Sequence, residues 1–193
     1  MSKPQRLDKL LSNMGYGTRT EVKKLIKSGR VKFGGAVEKE PGRIIAPPFS
    51  DIEIDGSPFI YREHIYLMMN KPDGVISATE DNRDKTVIDI LPDEYKKFRL
   101  FPAGRLDKDT QGLLILTDDG VLAHNMLSPS RHVGKTYFAE VSGEVTPEDI
   151  VLFSNGILLG DGYKCMPAKL KIIESGERSK IELKIYEIGR AHV

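Results

Sequence analysis

Residues 104–120 read GRLDKDTQGLLILTDDG and set Asp107, Asp109, Asp118 and Asp119 around a short apolar run, with Arg105 just upstream. Carboxylates at this density suit three chemistries. They can coordinate a hard cation such as calcium, solvate an ordinary turn, or present one carboxylate at a strand end as nucleophile or general base. The calcium reading has a register, since Asp107, Asp109, Gln111, Gly112 and Asp118 fall on positions 1, 3, 5, 6 and 12 of an EF-hand loop. Three departures weigh against it. Position 12 is Asp, whose short arm reaches bidentate geometry less easily than Glu, and position 5 is Gln. No helix enters the loop either, because LFPAG, with Pro102 and Gly104, breaks one. A solvated turn accounts for Asp109, Asp118 and Asp119, the last two capping a turn or helix start. It leaves unexplained why Arg105 and Asp107 directly precede the apolar run Leu113–Leu116. That run is most simply a buried strand, and a side chain at its mouth is held rigidly at a cleft rim.

The elements that must position these residues are short. A strand over Ile65–Met69 ends in the turn NKPDG, and DKTVIDILPDEYKKF forms a short helix or loop bounded by Pro92. After the Asp118-Asp119-Gly120 turn, Val121, Leu122, Asn125 and Met126 suit a short helix that stops before Ser128-Pro129. KTYFAEVSG reads as a strand. TPEDIVLF has Thr146 as N-cap and Pro147 at the first helical position, and AKLKII and KIELKIY alternate as strands. Strands joined by short helices make an α+β domain.

The N-terminal end has a different character. Leu7, Leu10, Leu11 and Met14 follow the i, i+3, i+4, i+7 spacing of a helix with one buried face. Glycines in Gly15-Tyr16-Gly17 stop it. Thr18 to Glu21 then forms a capping box that opens a second helix, with Val22, Leu25 and Ile26 inward and Ser28-Gly29 at its end. Arg19, Lys23, Lys27 and Arg30 recur at about four residues and share one face, mostly without acidic i+4 partners. A single-sign stripe of this kind tracks phosphates. The apolar face is too short, and too poor in Trp and Phe, for a membrane-lying helix. RVKFGGAV and SDIEIDG follow as short strands around a Gly34-Gly35 turn.

Composition agrees. Of 193 residues, 30% are charged, as in an ordinary soluble globular chain. The net charge of +1 conceals eleven Lys/Arg against four Asp/Glu in residues 1–48, the reverse of the mildly acidic remainder. A basic end on an acidic body implies an anionic partner for the first part. No apolar run approaches a membrane span and no signal-peptide core opens the chain, so a cytoplasmic location without membrane attachment is expected. Cys165 stands alone and reads as a small core residue. His64, His124, His132 and His192 form no ligand constellation, so no metal site is expected.

Two stretches resemble known families. RLDKLLSNMGYGTRTEVKKLIKSGRVKFGGAV, and with it the chain from Arg6 to about Gly56, resembles the S4 RNA-binding domain, which implies structured RNA as partner. Arg6, Arg19, Lys23, Lys27 and Arg30 are then the expected RNA contacts. GRLDKDTQGLL resembles the signature of the ribosomal-RNA pseudouridine synthases in Gly104, Arg105, Leu106, Asp107, Thr110, Gly112, Leu113 and Leu114, and KTY at Lys135–Tyr137 lies where that family keeps a tyrosine. The resemblance implies isomerisation of uridine in RNA. The C1′–N1 bond breaks, the uracil turns, and C5 joins C1′, with no second substrate and hence no cofactor. Asp107 is the implied catalytic carboxylate. It must be ionised, and because burial alone raises a carboxyl pKa, a nearby cation is expected. In an extended segment Arg105 and Asp107 can point to one side. Arg105 is expected to contact RNA backbone or the flipped nucleotide, Tyr137 to stack on the target base, and Leu183 to line an apolar pocket. The uridine must leave its helix to react.

The expectation is therefore an α+β protein in which a small S4 RNA-binding domain (1–58) and a linker (59–64) precede a pseudouridine synthase domain (65–187) of mainly antiparallel sheet with short flanking helices. Its substrate is ribosomal RNA, 16S of the small subunit in preference to the large, naked or in an assembling particle, and the protein is a monomer. A large-subunit synthase and a non-catalytic ribosome-associated RNA-binding protein are the alternatives. The family continues beyond KIELKIYE with a glycine and a Gln-containing basic segment, whereas this chain reads EIGRAHV. That peptide is what a common sequencing adapter encodes in one frame. Residues 188–193 are accordingly expected to be a non-native tail on a truncated, poorly active domain, with Arg190 the sole basic candidate there to pair with Asp107.

Overall fold

Leu7, Leu10 and Leu11 lie on one side of α1 (Leu7–Asn13), entered from the short strand β1 (Gln5–Arg6), and all three are buried against Val22 and Ile26 of α2 (Arg19–Lys27). The computed structural model describes residues 3–186. Its chain forms two compact units, residues 1–120 and 121–193. The capping box at the start of α2 is complete: the Thr18 N–H donates to Glu21 Oε2 at 2.7 Å, and the Glu21 N–H donates to Thr18 Oγ1 at 3.3 Å. The Thr18 N–H, and after it the Thr18 hydroxyl donating to Glu21 Oε2 at 2.8 Å, hold the Glu21 carboxyl below its ordinary range.

Around these helices the first unit builds β2 (Val31–Phe33), β3 (Ala36–Val37), β4 (Ile44–Ile45), β5 (Ile52–Ile54) and β6 (Ser57–Pro58). Four of them form an antiparallel sheet in the order β3-β2-β5-β6, while β4 pairs with β1. Val31, Ile45, Phe49, Ile52 and Phe59 close the core from the sheet side. Asp8, buried at the start of α1, receives Arg6 at 2.9 Å, a bond that lowers its pKa.

Downstream, β7 (Tyr66–Lys71), α3 (Asp93–Lys96), β8 (Phe101–Pro102) and β9 (Gly112–Thr117) complete the unit, with strand order β7-β9-β8. Strands β7 and β9 are antiparallel, Tyr66 opposite Thr117 and Lys71 opposite Gly112. The run Leu113–Leu116 is a strand, but only one of its faces is in the core. Leu114 and Leu116 are buried with Val75, Val87, Leu91 and Leu100, whereas Leu113 is 64% exposed and its neighbour across the ladder on the same face, Met68, 82%. The continuous apolar run suggested burial on both sides; the loop and α3 region supply a cover for one. Asp118 and Asp119, expected to cap a turn or helix start, also hold the start of β7. Asp118 Oδ1 accepts the Ile65 N–H at 2.9 Å, and the Tyr66 hydroxyl donates to Asp119 Oδ2 at 2.8 Å.

The second unit contains α4 (Gly120–Leu127), β10 (Lys135–Ser142), α5 (Pro147–Asn155), β11 (Lys169–Glu174) and β12 (Arg178–Ile185). Its sheet is antiparallel in the order β10-β12-β11. Thr146 is the N-cap of α5 with Pro147 in the first turn, as the sequence predicts, and its N–H also donates to Asp149 Oδ2 at 2.8 Å. Short helices on antiparallel sheets give the expected α+β class.

Candidate active site

The segment carrying Arg105 and Asp107 has no regular structure of its own. It leaves β8 at Gly104, with φ +121°, and enters β9 at Gly112, with φ +131°. Both values lie where only glycine is comfortable, so the two glycines act as hinges for the residues between them. The Thr110 N–H donates to the Asp107 carbonyl at 3.1 Å and tightens that interval into a turn.

Three side chains fix this loop from outside. Ser77 clamps Leu106, the residue between Arg105 and Asp107: its Oγ donates to the Leu106 carbonyl at 2.9 Å and accepts the Leu106 N–H at 3.0 Å. Lys71, at the end of β7 and 0% exposed, reaches beneath the far side of the loop. Its Nζ donates to the carbonyls of Thr110 at 2.7 Å, Lys108 at 3.2 Å and Pro72 at 3.2 Å. The Gly74 N–H adds a second bond to the Lys108 carbonyl at 2.9 Å. At the surface, Lys108 Nζ pairs with Asp84 at 2.6 Å, which raises the lysine's pKa. Asp84 is held in turn through its N–H to Asp81 at 2.8 Å. A loop without ladder hydrogen bonds thus gains rigid anchors on both sides of Asp107.

Sequence reasoning missed Lys71, Ser77 and Asp84, yet Lys71 left a signal. Leu67, Met69 and Lys71 alternate onto the inward face of β7, so a lysine stands where the pattern demands an apolar residue. Such a lysine needs buried acceptors, and the loop carbonyls supply them.

Asp107 and Arg105 are both exposed at the loop surface, and among the described residues no ion pair joins them. Arg190 and the 188–193 tail lie outside the described residues. In the second unit, Tyr137 of β10 and Leu183 of β12 are direct cross-strand partners, both half-buried on one face of the sheet.

The basic stripe is on the surface of the first unit. Arg19, Lys23 and Lys27 are exposed on α2 and, among the described residues, form no ion pair. Arg6 and Arg30 differ, for Arg6 is bound to Asp8 and Arg30 donates through Nε to Asp55 at 2.7 Å. The stripe therefore consists of three uncommitted cations and two that have acid partners.

Comparison with known proteins places the basic two-helix module and the domain that follows it, and the chain belongs to the RNA pseudouridylate synthase family. Residues 65–192 match the RNA pseudouridylate synthase family, and residues 5–47 match the S4 domain. The RNA pseudouridine synthase YtzG of Bacillus subtilis is 51% identical over 167 residues, covering 86% of this chain and 70% of the relative. Ribosomal large subunit pseudouridine synthase B of the same organism is 36% identical, covering 95% of this chain and 75% of that one. A crystal structure of a pseudouridylate synthase superposes with TM-score 0.59 at 32% identity, over 97% of this chain and 79% of that one. The protein is thus an RNA pseudouridine synthase with an S4 RNA-binding domain, and RNA is its partner. No described helix is long and apolar enough to cross a membrane.

Proposed function

We propose that the enzyme isomerises a uridine of ribosomal RNA, in the 16S RNA of the small subunit, with Asp107 as its catalytic carboxylate. The observation that carries the reading is the anchored loop: Ser77 and Lys71 immobilise the main chain on either side of Asp107 while leaving its carboxylate exposed to a substrate. Preorganisation of this kind suits a group that must attack, or take a proton, in one geometry. Arg105, two residues before it, contacts the RNA backbone or the flipped nucleotide. Tyr137 stacks on the target base and Leu183, its cross-strand partner, lines the apolar side. Arg19, Lys23 and Lys27, with Arg6 and Arg30, hold the RNA in an S4 domain spanning residues 1–58, joined by a 59–64 linker to the synthase domain. The enzyme acts as a cytoplasmic monomer on ribosomal RNA or an assembling particle, and the residues require no cofactor.

A second reading, the large-subunit RNA as substrate, is favoured by the 36% identity to a synthase named for that subunit. Tritium release from C5-tritiated uridine separates the readings when 16S and 23S transcripts are offered in parallel. Release from 16S alone supports the first, and release from 23S alone replaces it. Asp107→Asn is expected to abolish release while RNA affinity stays within about twofold. Equal release by both proteins would remove Asp107 from the mechanism. An absence of release from either RNA, with tight binding retained, favours a non-catalytic RNA-binding protein.

A further inference from the structure

Strand β10 carries Lys135, Tyr137, Ala139 and Val141 on its half-buried face and leaves Thr136, Phe138, Glu140 and Ser142 exposed. The register sets Lys135 opposite Ile185 and Tyr137 opposite Leu183 on β12. Lys135 is thus the next residue along the face that bears the Tyr137–Leu183 pair, about 7 Å away along the strand. Its surroundings are unusual for a lysine. The Nζ is shielded from solvent and, among the described residues, has no hydrogen-bond partner. Two lysines of this sheet have acid partners, Lys171 with Glu182 at 3.3 Å and Lys180 with Glu174 at 2.6 Å. Burial alone pushes the Lys135 pKa down. An ammonium without water or an acceptor leaves three donors unsatisfied, and an anion brought to this face restores them.

The geometry points to Lys135 as a substrate-positioning residue whose ammonium takes a phosphate oxygen of the RNA backbone beside the nucleotide that Tyr137 receives. The inference rests on the proposed stacking of the base on Tyr137. The lysine's four-carbon stem is flexible enough to carry the Nζ from beneath the face to a phosphate at its rim. A phosphate is the fitting partner because RNA places one on each side of every base. Pairing of the charge then fixes the sugar relative to the ring that holds the uracil. No bond is made or broken by the lysine.

The test uses the full chain and a C5-tritiated ribosomal RNA transcript, with tritium release giving kcat and KM, and RNA binding followed across a salt series. Lys135→Met keeps the length of the side chain and removes the charge. It is expected to raise KM about tenfold with kcat within about twofold, and to reduce the salt slope of binding by about one phosphate's worth, ~0.7 to 0.9. Lys135→Arg is expected to restore both KM and slope. A Lys135→Met enzyme whose KM and salt slope equal those of the parent overturns the proposal, and so does a defect that Arg fails to rescue. Tyr137→Ala tests the underlying reading separately. Unchanged kinetics in that variant remove the stacking role and the Lys135 proposal with it. A Tyr137 defect beside a silent Lys135→Met removes the lysine alone.

Discussion

The Lys71 amine lies 2.7 Å from the carbonyl oxygen of Thr110, the residue whose N–H closes the turn begun by Asp107. A single buried side chain at the end of β7 thereby sets the path of the proposed catalytic loop.

Lys71→Met is expected to remove the Lys71 donor from the carbonyls of Thr110 and Pro72 and to leave Lys108 with the Gly74 N–H alone. The lost bonds amount to ~2–4 kcal/mol of stability, and a loop displaced by about an ångström lowers kcat on the order of 100-fold. RNA affinity should stay near that of the parent, since Lys71 is buried and distant in sequence from the α2 stripe. Thermal unfolding and tritium release measured on one preparation check this. A variant with normal kcat and a normal melting midpoint shows that the loop does not depend on the lysine.

Ser77→Ala removes both bonds to Leu106. The expected cost is ~1–3 kcal/mol and a fall in kcat of about tenfold with KM unchanged, because the group orients rather than binds. Ser77→Thr keeps the hydroxyl and should recover most of the rate. Loss confined to KM would place Ser77 in substrate binding instead.

The proposed RNA-contact residues should fall into two groups. Charge reversal at Lys23 and Lys27 together is expected to weaken RNA binding and to reduce the salt slope by about 1.4 to 1.8, the worth of two phosphates. Arg30 is partnered by Asp55, so Arg30→Gln should change affinity less than either lysine does and lower stability slightly. Filter binding from low to high salt decides. An Arg30→Gln effect equal to that of the lysines would mean that RNA displaces Asp55.

Acid should unfold the N-terminal part early. The Arg6 bond holds the Asp8 carboxyl below its ordinary range, and the Glu40 N–H, with Arg43 behind it, does the same for Glu38. Both folded values are depressed, so the stability they contribute is complete above the unfolded range, about pH 4, and is lost as pH falls through the folded values. A flat melting midpoint from about pH 7 to 5 and a decline below about pH 4 are expected. Asp8→Asn should show a lower plateau, by ~1–3 kcal/mol, and a shallower acid decline. Parallel acid declines in parent and variant would exclude Asp8 from the effect.

Much of this was legible in the residues. Leucine spacing gave α1, the Thr18–Glu21 box gave the start of α2, and Thr146-Pro147 gave the start of α5, because helix ends are written locally. The glycine-bracketed loop was legible too, with Asp107 and Arg105 in it. The one-sided burial of β9 was not, since four apolar residues in a row look alike whether one face or both are covered. The clamp by Asp118 and Asp119 on β7 escaped for a related reason: its partners, Ile65 and Tyr66, are some fifty residues away. A separation of 29 residues likewise hides Ser77 and Leu106. Nor does spacing along the chain reveal that Arg6 and Arg30 already have acids beside them.

Lys71 touches the loop only through main-chain oxygens. The contact is therefore indifferent to which side chains occupy positions 108 and 110. A substitution at 110 can alter the loop surface while these main-chain bonds stay in place, whereas a substitution at 108 also gives up the pairing with Asp84. On the proposed assignment of Asp107, the surface side chain at 110 and the path of the backbone can thus vary separately within a single turn.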